Sequence, residues 1–206
     1  MTLPSPLFLD HLGIAVGAMS GVLAARGKQI DLFGVLVLAV VTAFGGATVR
    51  DVLVGDLPVV WLRGPWLLIN AVLVGLLTFV IARRLEPPRR VFLVVDAFVL
   101  AAFAMIGTRK GLHLGFSAPI CVLLGVVTGI AGGILRDVLM REVPTVFRSE
   151  IHLYATAALI GSALCVALRY FGMTEMIAIL AGGGLVLVLR LAGIYWKLSL
   201  PLFESR

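Results

Sequence analysis

The sequence is poor in charged residues, since Asp, Glu, Lys and Arg make up only 14% of its 206 residues. A typical soluble domain carries about 25%, and a fold of this length has too much surface to cover in water with so few charges. Apolar residues make up 61% of the chain, and the mean hydropathy is +1.11. This composition excludes a soluble enzyme and predicts an all-α integral membrane protein, because helices satisfy their own backbone hydrogen bonds in lipid.

Residues that build catalytic or metal sites are also scarce. The two cysteines, Cys121 and Cys165, lie inside apolar runs without metal-ligand spacing, so we predict two free thiols. The three histidines are scattered and form no HExxH-type motif. A membrane enzyme, a metal centre and a bound cofactor therefore find no support in the sequence. The net charge of +6 comes from basic residues placed singly or in pairs between apolar runs, which indicates topology signals rather than nucleic-acid binding.

Seven apolar runs are long enough to span a bilayer, which takes about 20 residues per helix. They lie at about 7–25, 30–56, 65–84, 91–108, 116–140, 150–169 and 174–196. The second and fifth runs are too long for one straight crossing, and each holds a glycine pair near its middle, Gly45-Gly46 and Gly132-Gly133. We expect these two helices to tilt, kink or break at the glycines.

Basic residues are distributed unevenly between the two sides of the predicted bundle. One side collects Arg26, Lys28, Arg83, Arg84, Arg89, Arg90, Arg141, Arg148, Lys197 and Arg206, and the other collects Arg63, Arg109, Lys110 and Arg169. Because cytoplasmic loops are enriched in Lys and Arg, the larger group is expected inside the cell. Seven spans then place the N-terminus outside and the C-terminus in the cytoplasm of a multi-pass inner-membrane protein.

The chain aligns with itself, without a gap, when it is shifted by 86 residues. Residues 41–60 fall on 127–146 with nine identities in twenty positions, and Asp10 falls on Asp96. Each repeated unit holds three spans, at roughly 10–84 and 96–170, and the helix at about 174–196 is extra. Because three is odd, the second unit must begin on the opposite side, which predicts inverted repeats within one transmembrane domain over residues 1–206.

Each unit carries a glycine pair followed by Arg-Asp-Val-Leu, then by an acidic residue and a proline. This doubled motif resembles the bacterial and archaeal branch of the trimeric intracellular cation (TRIC) channel family, and the resemblance covers residues 7–196. It implies a homotrimer in the lipid bilayer that passes monovalent cations, chiefly K⁺ with Na⁺ as a second candidate. Each subunit would hold its own pore, lined by the kinked second and fifth helices. The same branch is also labelled a glycine transporter family, so transport of a small zwitterion such as glycine is the alternative.

We assign the ion pathway to matched residues of the second and fifth spans. They are Gly45, Gly46, Gly132, Gly133, Thr42, Thr128, Asp51 and Asp137. An unwound segment at the glycines would free backbone carbonyls to replace the hydration shell of a cation. The threonine hydroxyls either add oxygen ligands or bond back to the carbonyl one turn earlier, and the sequence does not separate these roles. The aspartates either shape the potential at the pore mouths or belong to an ion-pair network.

Four further charged residues are expected to form structural ion pairs, because charge at membrane depth is usually paired. They are Arg50, Arg136, Asp10 and Asp96. Adjacent residues on a helix point about 100° apart. We therefore expect each arginine to pair with a carboxylate on another helix, Asp10 or Asp96, rather than with the aspartate that follows it.

Overall fold

The computed structural model describes residues 7–148 and 153–196, with side chains described from residue 10 onward. Seven of its helices have 17 to 25 residues: α1 (Leu7–Ala24), α2 (Leu32–Leu53), α4 (Pro65–Leu85), α5 (Arg89–His113), α6 (Ala118–Leu139), α7 (Tyr154–Tyr170) and α8 (Glu175–Trp196). A single-turn helix, α3 (Val60–Arg63), precedes α4, and a 3-10 turn at Thr145–Phe147 precedes α7. The described part of the chain contains no strand, which confirms the all-α prediction.

Helices α2, α4, α5, α6 and α8 are each long and apolar enough to cross a membrane, while the apolar parts of α1 and α7 are shorter. The described helices lie where the seven predicted spans lie, within a few residues. The start of the sixth predicted span, at residue 150, lies outside the described residues. The two chain ends, for which the sequence predicted opposite sides of the membrane, also lie outside the described residues.

Of the tilt, kink or break expected in the second and fifth spans, the break requires correction, whereas a tilt or kink stays a prediction. Helices α2 and α6 each have 22 residues and run through their glycines as uninterrupted α-helix. At 1.5 Å per residue each is about 33 Å long, close to the ~30 Å hydrocarbon core. The sequence overestimated both spans at their polar ends, where for example the Asp31 side chain accepts from Gly34 N and caps α2. No overlong or unwound segment is needed to fit these helices into a bilayer.

Helices α2 and α6 contact each other at the centre of the fold. Within the first unit α1, α2 and α4 pack on one another, and α5, α6 and α7 pack in the corresponding way in the second. The 86-residue shift carries the bounds of α2, 32–53, onto 118–139, which are those of α6. Helix α8 has no counterpart and packs on α5 and α7. The core follows this division, with one apolar cluster around Leu38 and Phe44 and another around Leu100 and Val186.

Candidate ion-pathway site

The matched helices α2 and α6 lie in close backbone contact at two of their glycines. A Cβ atom added to Gly46 would lie 2.0 Å from the carbonyl oxygen of Thr128, and one added to Gly132 would lie 2.5 Å from that of Thr42. The 86-residue shift exchanges both pairs, so the contact is reciprocal. Only glycine permits this approach, since any side chain would overlap the opposing backbone. The glycines in this structure therefore serve close packing of two continuous helices.

The neighbouring glycines of the two pairs lie in the same region but meet different groups. A Cβ atom on Gly45 would lie 2.9 Å from Leu135 Cδ1, and one on Gly133 would lie 3.3 Å from the Tyr154 hydroxyl oxygen. The 86-residue shift places Gly45 on Ala131 and Ala47 on Gly133, so the two pairs are equivalent only at Gly46 and Gly132.

The two threonines predicted to lie on the ion pathway are buried and bond within their own helices. Thr42 Oγ1 donates to the Leu38 carbonyl oxygen, and Thr128 Oγ1 donates to the Leu124 carbonyl oxygen, each at 2.6 Å. Of the two roles left open by the sequence, the structure contains the back-bonded one at both positions. A hydroxyl that donates still has acceptor lone pairs, so a contact of either oxygen with a cation remains a prediction.

Asp51, in the last turn of α2, is fully buried and heavily hydrogen-bonded. Its Oδ1 accepts from Arg50 Nε and Nη2, at 2.9 and 2.7 Å, and from Lys110 Nζ at 2.9 Å. Its Oδ2 accepts from the backbone N–H of Val60 at 3.0 Å. This carboxylate therefore joins the end of α2 to the start of α3 and to the last turns of α5.

Asp56, in the loop after α2, continues the same network toward the surface. It accepts hydrogen bonds from Arg63 and from Lys110, so that Lys110 Nζ joins two carboxylates. The Arg63 guanidinium, and after it the Lys110 ammonium, lower the pKa of the Asp56 carboxyl from 3.8 to about 2. We call the group formed by Arg50, Asp51, Asp56, Arg63 and Lys110 the Asp51 end.

Asp137, in the last turn of α6, has a matched position but partly different partners. Its Oδ1 accepts from Arg136 Nε at 2.8 Å, and its Oδ2 accepts from the backbone N–H and hydroxyl of Thr145 at 2.6 and 2.7 Å. Nearer the surface, Glu142 accepts from Lys28 and Arg148. We call the group formed by Lys28, Arg136, Asp137, Glu142, Thr145 and Arg148 the Asp137 end.

The fully buried guanidinium of Arg136 also reaches two other helices. Its Nη1 lies 2.9 Å from Asp96 Oδ1 on α5 and 2.9 Å from Ser20 Oγ on α1. The Ser20 hydroxyl in turn donates to Asp96 Oδ1 at 3.0 Å. The structure therefore pairs Arg136 with Asp96, a carboxylate on another helix, as the sequence suggested.

Both arginines also bond to the aspartate that follows them, which corrects the expectation drawn from helix geometry. The guanidinium is long enough to curl back, so Nε reaches the next carboxylate although the two residues point about 100° apart. Arg50 Nη1 is buried and has no hydrogen-bond partner among the described residues. Asp10 lies in the first turn of α1 and is only half-buried, so its pairing with an arginine stays a prediction.

Besides Asp56, Arg63, Glu142 and Arg148, the sequence did not identify three further charged residues as part of the site. Lys28 and Lys110 were interpreted only as topology signals, yet each bonds to an acidic residue at the end of α6 or α2. Arg190 on α8 is fully buried, with its guanidinium carbon 4.6 Å from the centroid of the Tyr154 ring. Of the three, only Arg190 carried a sequence signal, as a lone charge inside an apolar run.

A cavity of about 520 Å³ opens at the Asp137 end. Its charged lining residues are Arg26, Lys28, Arg89, Asp137, Glu142 and Arg148. The cavity therefore gives access to the Asp137 carboxylate through a mouth in which basic side chains outnumber acidic ones.

The chain is similar to known membrane proteins over almost its whole length. The family described as "Glycine transporter" matches the chain twice, over residues 7–83 and 93–170, close to the two predicted units. The UPF0126 inner membrane protein YadS of Escherichia coli is 43% identical over 198 residues, which is 95% of each chain. The TRIC trimeric intracellular cation channel orthologue from Rhodobacter sphaeroides has a known structure and is 37% identical. Its TM-score is 0.87, and the match covers 93% of this chain and 98% of that one.

The chain belongs to the TRIC family. A second TRIC cation channel of known structure is 33% identical, with a TM-score of 0.87 and 97% of each chain covered. The family assignment drawn from the doubled motif is thus confirmed. The matches are to channels and to a family named for transport, which agrees with the expectation that this TRIC protein is not an enzyme.

Proposed function

We propose that this TRIC protein is a K⁺-conducting channel of the inner membrane, assembled as a homotrimer with a pathway in each subunit along the contact between α2 and α6. The observation that carries the proposal is its similarity, at 37% identity over almost the whole chain, to a trimeric cation channel. We further propose that the two units are inverted repeats. The reciprocal contact between Gly46 and Gly132 supports a pseudo-twofold axis that passes between α2 and α6.

The electrostatics of α2 and α6 fit a cation. Each helix ends at a buried aspartate, Asp51 or Asp137, and the C-terminal end of a helix carries a partial negative charge of its own. The adjacent arginines hold these carboxylates in place and reduce their net charge, which would let a monovalent ion pass without being trapped. Because both helices are continuous, conduction requires α2 and α6 to separate at Gly46 and Gly132, so that the carbonyls of Thr42 and Thr128 become available.

Transport of a small zwitterion is the second candidate, and the surroundings of one arginine favour it. Arg50 Nη1 is buried without a hydrogen-bond partner among the described residues, and a carboxylate is the group that a free guanidinium N–H binds best. The description of the matching family as "Glycine transporter" points to such a substrate.

Purified protein in a planar bilayer under a KCl gradient separates the two functions. We expect single-channel steps that reverse near the K⁺ equilibrium potential. Asp51→Asn and Asp137→Asn should lower the conductance more at low than at high salt, because mobile ions screen a fixed charge. Asp31→Asn is the matched control, since Asp31 is an exposed N-cap residue at the opposite end of α2. A silent bilayer, together with glycine counterflow in liposomes, would establish the transporter instead.

A further inference from the structure

Arg136 shows which groups surround a buried guanidinium in this fold when the chain itself supplies its partners. Its Nε donates to Asp137, and its Nη1 lies 2.9 Å from Asp96 Oδ1. Its Nη1 also lies 2.9 Å from Ser20 Oγ, and its Nη2 lies 3.4 Å from Thr145 Oγ1. Two carboxylates and two hydroxyls therefore contact one arginine at this position.

Arg50 occupies the matched position on α2, and its guanidinium is satisfied only in part. Its Nε and Nη2 donate to Asp51 Oδ1, as Arg136 donates to the aspartate that follows it. Its Nη1 is buried and has no hydrogen-bond partner among the described residues, whereas Arg136 Nη1 holds the Asp96 carboxylate. Leaving a buried charged N–H group unbonded is destabilising, so a ligand that accepts from Arg50 Nη1 would be bound favourably.

The sequence explains why Arg50 lacks these partners. The 86-residue shift matches two hydroxyl side chains of the Arg136 site with aliphatic ones, Ser20 with Ile106 and Thr145 with Val59. It also matches Asp96 with Asp10, but Asp10 is only half-buried and does not bond to Arg50 Nη1. An acceptor from outside the chain can therefore bond to Nη1 without displacing a described side chain from it.

The charge around Arg50 favours an anion. The five side chains of the Asp51 end are three basic and two acidic, so this group has an excess of positive charge. Arg63 and Lys110 are partly exposed, and the positive charge therefore extends from Arg50 to the surface, where it attracts anionic ligands. Among anions a carboxylate is indicated, because a carboxylate, Asp96, is what the matched arginine holds.

We propose that Arg50 Nη1 binds the carboxylate of a small organic acid, of the size of acetate or glycine, as Arg136 Nη1 binds Asp96. The ligand is small because Arg50 is only 4% exposed. The proposal rests on the inverted arrangement of the two units proposed above and goes beyond K⁺ conduction. It also deepens the second candidate function, since it names the residue that would recognise the carboxylate of a transported zwitterion.

Binding of radiolabelled acetate to the purified full chain, measured by scintillation proximity, tests the site directly. We expect saturable binding with which glycine competes and methylammonium does not, because only the carboxylate is recognised. Ile106→Ser returns the hydroxyl that Ser20 gives to Arg136. This hydroxyl should bond to Arg50 Nη1 and weaken acetate binding roughly tenfold, which corresponds to about 1.4 kcal/mol. Ile106→Val returns no hydroxyl and should bind acetate as the wild type does.

Changes at Arg50 and Asp10 separate this site from its alternatives. Arg50→Lys keeps the charge but not the planar fork, so acetate binding should be lost. If Arg50→Lys fails to assemble by gel filtration, Ile106→Ser carries the test, since it leaves the Arg50–Asp51 pair in place. Asp10→Asn should leave the affinity unchanged, and tighter binding in that variant would show that Asp10 fills Nη1 and overturn the proposal. Equal affinity in wild type and Ile106→Ser, or equal competition by methylammonium and glycine, would also overturn it.

Potassium flux into liposomes separates failure of this site from failure of the channel. Acetate binding that Ile106→Ser weakens, without K⁺ flux through the wild-type protein, would refute the channel and retain the site. K⁺ flux through a wild-type protein that binds no acetate would refute the site and retain the channel.

Discussion

Gly46 and Gly132 show how one residue type supports two opposite interpretations. A glycine in the middle of a span can let the helix unwind, or it can let another backbone come close. Here the opposing threonine carbonyl decides between them, because each glycine meets that carbonyl from the partner helix. Packing then holds the glycine in helical conformation, and its freedom is not used in this state of the protein.

Replacing either glycine by alanine should destabilise the protein. The added methyl would overlap the carbonyl of Thr128 or Thr42, so α2 and α6 must move apart, at a cost of about 1–3 kcal/mol for overpacking. Thermal unfolding of the purified protein measures the loss. Gly184→Ala on α8 is the control, since a Cβ atom there meets nothing within 4 Å. Unchanged stability in Gly46→Ala and Gly132→Ala would mean that the close contact is absent from the protein in solution.

At the level of whole helices, α8 is the element that the repeat does not explain. It packs on α5 and α7, and its Arg190 lies fully buried against the Tyr154 ring. A guanidinium at this depth is costly unless it interacts with neighbouring groups, and a desolvated cation over an aromatic face recovers part of that cost. Arg190 thus ties the extra helix to the second unit.

Arg190→Met should therefore loosen α8 although methionine is more apolar. Removing one member of a buried charged group typically costs about 3–5 kcal/mol, because the remaining groups lose their compensation. We expect a lower melting temperature and earlier proteolysis between α7 and α8. Arg190→Lys should be intermediate, since it keeps the charge without the planar fork. Arg84→Met, at an exposed position on α4, should behave as wild type. A melting temperature for Arg190→Met that matches wild type would exclude the anchoring role.

The helices themselves were largely predictable from the sequence, and the contacts that connect them were not. Apolar runs bounded by charge located seven helices, because hydropathy depends only on neighbours in the chain. The break at Gly46 was wrong because its outcome depends on α6, and the sequence does not state what lies opposite. Lys110 was missed for the same reason, since it is 59 residues from Asp51 and nothing local links the two.

At the scale of the whole molecule, ion pairs sort the helix ends into two groups. Asp56 bonds to Arg63 and Lys110, whereas Glu142 bonds to Lys28 and Arg148. The sequence assigned Arg63 and Lys110 to one side of the membrane and Lys28 and Arg148 to the other. Each of these two pairs is thus joined through one carboxylate, Asp56 after the C-terminal end of α2 or Glu142 after that of α6. The Asp137 end belongs to the side with more Lys and Arg, which the positive-inside rule places in the cytoplasm.

The orientation can be tested with two matched and exposed positions. Leu85 is the last residue of α4, and Phe171 directly follows α7. The two positions correspond under the 86-residue shift, and their side chains are 74% and 77% exposed. In a background without Cys121 and Cys165, a membrane-impermeant thiol reagent on intact cells should label Phe171→Cys. It should label Leu85→Cys only after the cells are opened, because Leu85 lies beside Arg83 and Arg84. The reverse pattern would show that the predicted orientation is wrong. Labelling of both positions in intact cells would place them on one side of the membrane and refute inverted repeats.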